Sequence, residues 1–288
     1  MPYASNGETR LYYEAHGDGP PLALVMGLGG SIQAWGMQIP KLSQRYRVIA
    51  MDNRGAGRSD KPDVPYSIAG MAGDLACVLD AAGVDSAHVM GASMGGFIAQ
   101  AFYHAYPGRT RSLILACTGA SLYDPEGEPP DQTAMEIITR DRHGSTLREN
   151  MAAVAEVFYH PAFRRRVPDL VDRLTRFEEQ LPQPPHAYHR QLEAVRAFDP
   201  APDFQRGILA PTLVLHGADD RAWPPGNARL LARRIPGAEL VILDNAAHML
   251  MVERPQAFND AVMDFLDRHR ENNAGATGEY GRRHEREG

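Results

Sequence analysis

Apolar residues fall along this chain in two rhythms, and the alternation between them lays out an architecture. Short, nearly continuous apolar runs recur at Arg10–Tyr13, Leu22–Met26, Tyr46–Met51, His88–Met90 and Ser112–Cys117, and again at Pro211–His216 and Glu239–Leu243. Runs without polar alternation suit parallel strands covered on both faces. Between them the spacing turns helical. Ile68, Met71, Ala72, Leu75, Leu79 and Ala82 share one face, as do Met94, Phe97, Ile98, Ala101, Phe102 and Ala105. Pro107 and Gly108 stop the second stripe. Phe258, Ala261, Val262, Phe265 and Leu266 predict a last helix. Strands alternating with helices imply right-handed crossovers and a mostly parallel sheet with helices on both faces, an α/β fold.

The alternation breaks near Ser121. From there to Gly207 no strand pattern stands out, while Val167, Leu170, Val171, Leu174, Phe177 and Leu181 form one helical stripe and Met151, Val154 and Phe158 another. Pro182, Pro184 and Pro185 interrupt the helical pieces. A length of 288 residues alone suggests about two domains. The pattern instead predicts one core, residues 1–121 and 208–270, interrupted by a helical cap at 122–207. The polar, Gly-rich tail at 271–288 is expected to be disordered.

Candidate chemistry sits at strand ends. Gly91-Ala92-Ser93-Met94-Gly95-Gly96 joins the His88–Met90 strand to the helix at Met94. A serine there needs a sharp turn, which glycines on either side permit, and its hydroxyl then stands at a helix N-terminus where developing negative charge is favoured. A serine nucleophile needs a base, and the base needs an orienting acid. Of the 11 histidines, His248 alone lies in a loop between the last strand and the last helix, on the same sheet edge as Ser93. Asp219 and Asp220 compete as the acid after the strand ending at His216; the Gly217-x-x-Asp220 spacing, with Pro224 four residues on, selects Asp220. The order Ser93…Asp220…His248 is that of the α/β-hydrolase triad. Oxyanion donors are expected from the backbone amides of Met94 and of Leu28, in Gly27-Leu28-Gly29-Gly30. That loop has neither the Lys-Ser/Thr of a P-loop nor G-x-G-x-x-G spacing.

Asp52-Asn53-Arg54-Gly55-Ala56-Gly57-Arg58-Ser59-Asp60 is read as structural support, with Asp52 and Arg54 pairing or binding backbone. His186-x-x-His189 lacks a third ligand at a useful spacing, so no metal is expected. Residues Gly27, Trp223, Met249, Leu250 and Phe158, with Met151 and Phe177, are candidates to line an apolar substrate pocket.

These motifs, with Trp35 and Glu253-x-Pro255, resemble the α/β-hydrolase superfamily from about Arg10 to His269, and within it the bacterial carboxylesterase, enol-lactonase and cofactor-free perhydrolase group. The resemblance implies an α/β-hydrolase fold with an inserted helical cap. It also implies Ser93 as nucleophile, His248 as base, Asp220 as orienter, and Leu28 and Met94 as oxyanion amides, with no cofactor. Serine at the nucleophile position separates the chain from haloalkane dehalogenases and epoxide hydrolases, which use aspartate. Met26 replaces the histidine often found beside the oxyanion glycine. The expected activity is hydrolysis of a carboxylic ester or lactone. Two alternatives stay open. One is a C–C bond hydrolase of ring-cleavage products, with Arg176 or Arg190 holding a carboxylate; the other is a slow-turnover small-molecule binding protein.

Composition narrows the partners. A net charge of −6 argues against nucleic acid. No apolar run reaches the ~18 residues of a membrane helix, and the first eight residues show no signal-peptide pattern, so a cytoplasmic location is expected. The partner expected is a small-molecule ester or lactone, without nucleic acid or membrane; the oligomeric state stays open, a homodimer included. Cys77 and Cys117 are expected to be buried free thiols.

Overall fold

The computed structural model describes residues 3–140, 144–201 and 203–270, so the tail expected at 271–288 lies outside the described residues. Eight strands, β1 (Tyr3–Asn6), β2 (Thr9–His16), β3 (Pro21–Val25), β4 (Arg47–Met51), β5 (Ala87–Ala92), β6 (Thr110–Ala116), β7 (Thr212–Gly217) and β8 (Glu239–Leu243), form one sheet in the order β1-β2-β4-β3-β5-β6-β7-β8. The β1–β2 and β2–β4 pairs are antiparallel; every pair from β4 to β8 is parallel. Every predicted strand is present. The strand β1 was not foreseen: its four residues carry little apolar signal, and it pairs with β2 through a turn at Gly7, whose φ is 58°.

The apolar strands serve two cores at once. Helix α1 spans Ile39–Leu42, and in β3, Ala23 and Val25 pack on one face with Val89, Leu113 and Val214, against Met71 and Leu75 of α2 (Ile68–Ala81) and Phe97 and Ile98 of α3 (Met94–Ala105). Leu22 and Leu24 point the other way, with Met90, Ile114 and Leu215, toward Trp35 and the final helix. Alternate residues therefore feed opposite cores, and neither set can be polar.

Between β6 and β7 the chain forms five helices, α4 (Gln132–Thr139), α5 (Leu147–Phe158), α6 (Pro161–Arg166), α7 (Leu170–Gln180) and α8 (Pro185–Arg196), and no strand among the described residues. Local chemistry sets their starts. Thr146 and Glu149 form a reciprocal capping box at α5. Pro161 and Pro185 occupy first positions of α6 and α8, where a missing N–H costs nothing. Helix α7 begins at Leu170 rather than Val167 because Pro168 intervenes. Beyond β7 come α9 (Gly226–Arg234), α10 (Leu250–Glu253) and α11 (Pro255–Arg268). No helix among the described residues is long and apolar enough to cross a membrane. Both cysteines are free, but only Cys117 is buried; Cys77 faces partly outward from α2.

Consecutive connections run in opposite directions from β3: the chain goes to β4 on one side and returns to β5 on the other. A parallel sheet opens a crevice at such a reversal, beyond the carboxyl ends of its strands. Helix α3 presses closely on the sheet there. A Cβ on Gly95 would stand 2.1 Å from the Val25 carbonyl oxygen, and one on Gly91 would stand 2.0 Å from the Gly95 oxygen. Since both obstacles are backbone, a methyl group can be admitted only by moving the helix. Gly95→Ala is therefore expected to cost about 1–3 kcal/mol, the range for overpacking, seen as a lowered urea midpoint; an unchanged midpoint would show that α3 is not pinned here.

Candidate active site

Ser93 follows β5 directly and precedes the first residue of α3, so the chain must reverse within one residue. It does so at φ 55° and ψ −121°, a conformation that side-chain-bearing residues rarely adopt. The Ser93 amide donates to Ala116 O at 2.9 Å, and its carbonyl accepts from Thr118 Oγ1 at 2.8 Å and from the Gly96 amide at 2.8 Å. These bonds over-determine the strained residue. Gly27, two residues beyond β3, lies against it: a Cβ there would be 2.8 Å from Ser93 Cβ.

The other two predicted catalytic residues meet across the sheet edge. His248 Nδ1 lies 2.8 Å from Asp220 Oδ2, and both residues are buried. A ring nitrogen facing a carboxylate carries the proton, which leaves Nε2 with its lone pair. Asp220 Oδ1 accepts the amides of Ala222 and Trp223, each at 2.9 Å. His216 Nε2 donates to Trp223 O at 2.6 Å, and burial pushes its pKa below the usual histidine range, which favours a neutral ring beside Asp220. Asp219 is half exposed, with His160 Nε2 at 3.7 Å.

Ser93 and His248 line one cavity of about 610 Å³, although no hydrogen bond joins them among the described residues. Such bonds are often loose in the absence of substrate. Gly27, Leu28, Met94, Trp223, Met249, Phe158, Met151 and Phe177 line it too. The amides of Leu28 and Met94 meet no protein acceptor among the described residues, and so are available to a ligand. Phe158 sets its ring edgewise against His248, centroids 5.1 Å apart. Leu250 corrects the expectation: it is fully buried in the core beside α11, because the chain enters α10 at that residue and turns the side chain inward.

Of the two arrangements expected of the Asp52 loop, Asp52 takes the backbone-binding one, and Arg54 pairs elsewhere. Asp52 accepts the amides of Ile32 at 2.7 Å and Arg58 at 2.8 Å, while Arg54 pairs with buried Asp74 at 2.5 Å. His186 donates to Lys61 O, and no metal-holding group of three His, Cys, Asp or Glu side chains occurs among the described residues.

Sequence reasoning missed two sets of residues that join the helical segment to the site. Gln191 Oε1 on α8 accepts the Gly29 amide at 2.9 Å, and its Nε2 donates to Arg54 O at 2.7 Å; Gln183 adds a bond to Gly55 O at 2.8 Å. Glu253 stands out in the sequence only through the Glu253-x-Pro255 motif. Its buried carboxyl accepts the amides of Ala247 at 3.1 Å, next to His248, and of His160 at 2.8 Å, at the start of α6. The Met249 amide also donates to Phe158 O at 3.1 Å. These partners lie far apart in the chain, and nothing in their spacing announces them.

The chain belongs to the α/β-hydrolase fold family, whose model matches residues 20–255. Among its relatives, it is 34% identical over 266 residues to carbamate hydrolase RutD of Azorhizobium caulinodans, an activity assigned provisionally, covering 92% of this chain and 98% of that one. It is 32% identical to 3-oxoadipate enol-lactonase 2 of Acinetobacter baylyi, covering 91% and 94%. The crystal structure of the enol-lactonase from Burkholderia xenovorans LB400 superposes with a TM-score of 0.80 at 30% identity, covering 92% of this chain and all of that one. The resemblance to enol-lactonases that the motifs implied is thus present over nearly the whole chain.

Burial pushes the pKa of Glu253 up to about 7 from an ordinary 4.5, despite its two amide bonds. The folded chain then holds a proton that the unfolded chain has released, so the part of the stability linked to Glu253 is full below pH 4.5 and is lost as pH rises through 7. The shift corresponds to about 3 kcal/mol. Glu253→Gln should flatten the fall in urea stability between those pH values; an undiminished slope would assign the dependence to another group.

Proposed function

We propose that this protein is a serine hydrolase acting on a carboxylic ester or lactone through an acyl-enzyme, with residues 122–207 serving as a cap over the site. The observation that carries this reading is the strained Ser93 beside free amides, sharing a largely apolar cavity with a histidine held by a buried aspartate. Ser93 Oγ attacks the carbonyl carbon as His248 Nε2 takes its proton. Asp220 holds the ring's tautomer and stabilises the imidazolium. The Leu28 and Met94 amides receive the oxyanion, each such donor being worth about 3–4 kcal/mol in the transition state. Protonated His248 then gives its proton to the departing alkoxide. Water, deprotonated by the same nitrogen, attacks the acyl carbon and releases the acid, regenerating Ser93. None of these steps calls on a cofactor. The names of the enol-lactonase relatives support the lactone part of this reading.

The ring-cleavage alternative loses the two cations expected for it. Neither Arg176 nor Arg190 is among the described residues lining the cavity, and Arg190 is paired with both Asp63 and Glu193.

The test is a panel of aryl esters, lactones, aryl carbamates and ring-cleavage products on one preparation. Esters or lactones are expected to be cleaved fastest. Asp220→Asn should lower kcat by about ten-thousand-fold and Ser93→Ala by about a million-fold, as losses within such triads do, with folding unchanged by circular dichroism. Wild-type hydrolysis by Ser93→Ala would end the assignment, and an inert wild type that still binds these compounds would favour the binding-protein reading.

A further inference from the structure

The cavity's lining is unusual in two respects that together point to a kind of substrate. First, six of the chain's 12 methionines line it: Met26, Met37, Met94, Met135, Met151 and Met249. Methionine side chains are unbranched, polarisable and free to change rotamer, so a wall made of them adjusts to apolar shapes that vary. The methionines come from the loop after β3, the segment before α1, the start of α3, α4, α5 and the His248 loop, so they reach the cavity from several sides. Between them stand other aliphatic groups of the helical segment, among them Ile138, Val154 and Leu174.

Second, the lining offers almost no charge. Apart from the His248 ring, its only ionisable acid or base among the described residues with a full charge is on α7, at Arg173 and Glu178. Arg173 is committed to Asp169, Nε to Oδ2 at 2.9 Å, and its side chain is 55% exposed, so it belongs to the solvent edge. Glu178 accepts the Gln183 amide at 3.2 Å and adds negative charge to the same wall. A carboxylate carried into this cavity would lose its water, meet a single cation, Arg173, that is half exposed and shared with Asp169, and face Glu178. Burying an ion without a partner is costly.

We infer that the Ser93 site selects an uncharged ester or lactone bearing a flexible aliphatic chain, and discriminates against substrates whose chain ends in a carboxylate. The inference rests on the serine-hydrolase reading and narrows its substrate. It also separates this chain's substrate from any dianionic product of aromatic ring degradation, whose second carboxylate would have only the half-exposed Arg173, shared with Asp169, to pair with.

The experiment uses the full chain and p-nitrophenyl esters from acetate to decanoate, together with the p-nitrophenyl monoester of a dicarboxylic acid matched in length to the hexanoate. Each buried methylene is worth about 0.8 kcal/mol, which is about fourfold in kcat/KM. A rise of about two- to fourfold per methylene is expected from acetate to hexanoate, before the cavity fills. The carboxylate-ended ester should be slower than the hexanoate by about 100-fold or more, as desolvation of an unpaired ion implies. A kcat/KM highest for acetate, or a carboxylate-ended ester within about tenfold of the hexanoate, would overturn the inference. A fluorophosphonate probe read by mass spectrometry accompanies the series. If Ser93 is labelled and esters are cleaved without the chain-length rise, the substrate inference falls and the hydrolase reading stands. If Ser93 is not labelled and no ester is cleaved, both fall.

Discussion

The close approach of β3, β5 and α3 at the carboxyl edge of the sheet is the constraint on which the site depends. Three glycines allow it: Gly27 against the Ser93 side chain, Gly91 against the Gly95 carbonyl, and Gly95 against the Val25 carbonyl. With no Cβ at these positions, the strand can turn into the helix within one residue, and that residue is forced to a φ of 55°. The strain is retained because the surrounding bonds, to Ala116, Thr118 and Gly96, leave Ser93 no other conformation. One consequence is geometric: the hydroxyl stands above the sheet. The other is electrostatic, since the same turn exposes the Met94 amide at a helix N-terminus, in a cavity that the Leu28 loop after β3 also lines.

A second set of constraints links the helical segment to this edge at two places. At one, Gln191 and Gln183 hold the loop that carries Leu28 and the loop at Arg54 and Gly55. At the other, Glu253 and the Met249 amide fasten the α5–α6 corner to the loop that carries His248. The small apolar cluster of Ala155, Tyr159, Phe163 and Leu170 continues onto Met249 and Val252, so packing runs across the same junction. Under the proposed function, the segment that shapes the substrate cavity thus also steadies the groups that would perform the chemistry. A substitution in it is then able to change turnover as well as affinity.

Much of this was legible in the sequence where the signal is local. A strand buried on both faces must be apolar throughout, so β3, β5, β6 and β7 announced themselves, and the G-x-S-x-G turn placed Ser93 between a strand and a helix without any knowledge of the fold. What was not legible depends on contacts between distant residues. The four residues of β1 carry no periodic signal, and their place is set only by pairing with β2. The glutamines of the α8 side and the carboxyl of Glu253 meet backbone amides and carbonyls that lie up to 162 residues away. Leu250 shows the limit of reading by proximity: it adjoins Met249 in the chain, yet one step into α10 turns it from the cavity to the core. Arg54 likewise found Asp74, 20 residues on, rather than its neighbour Asp52.

The central claim is that a covalent acyl group passes through Ser93, and direct observation of that bond is the sharpest test. A slowly deacylating ester such as p-nitrophenyl pivalate, mixed with the protein and quenched in acid, should yield one equivalent of p-nitrophenol in a fast phase. Intact-mass and peptide mass spectrometry should then show one pivaloyl group, located on the peptide that contains Ser93. Steady release of p-nitrophenol from a protein whose Ser93 peptide stays unmodified, or an acyl group found on a different residue, would contradict the account.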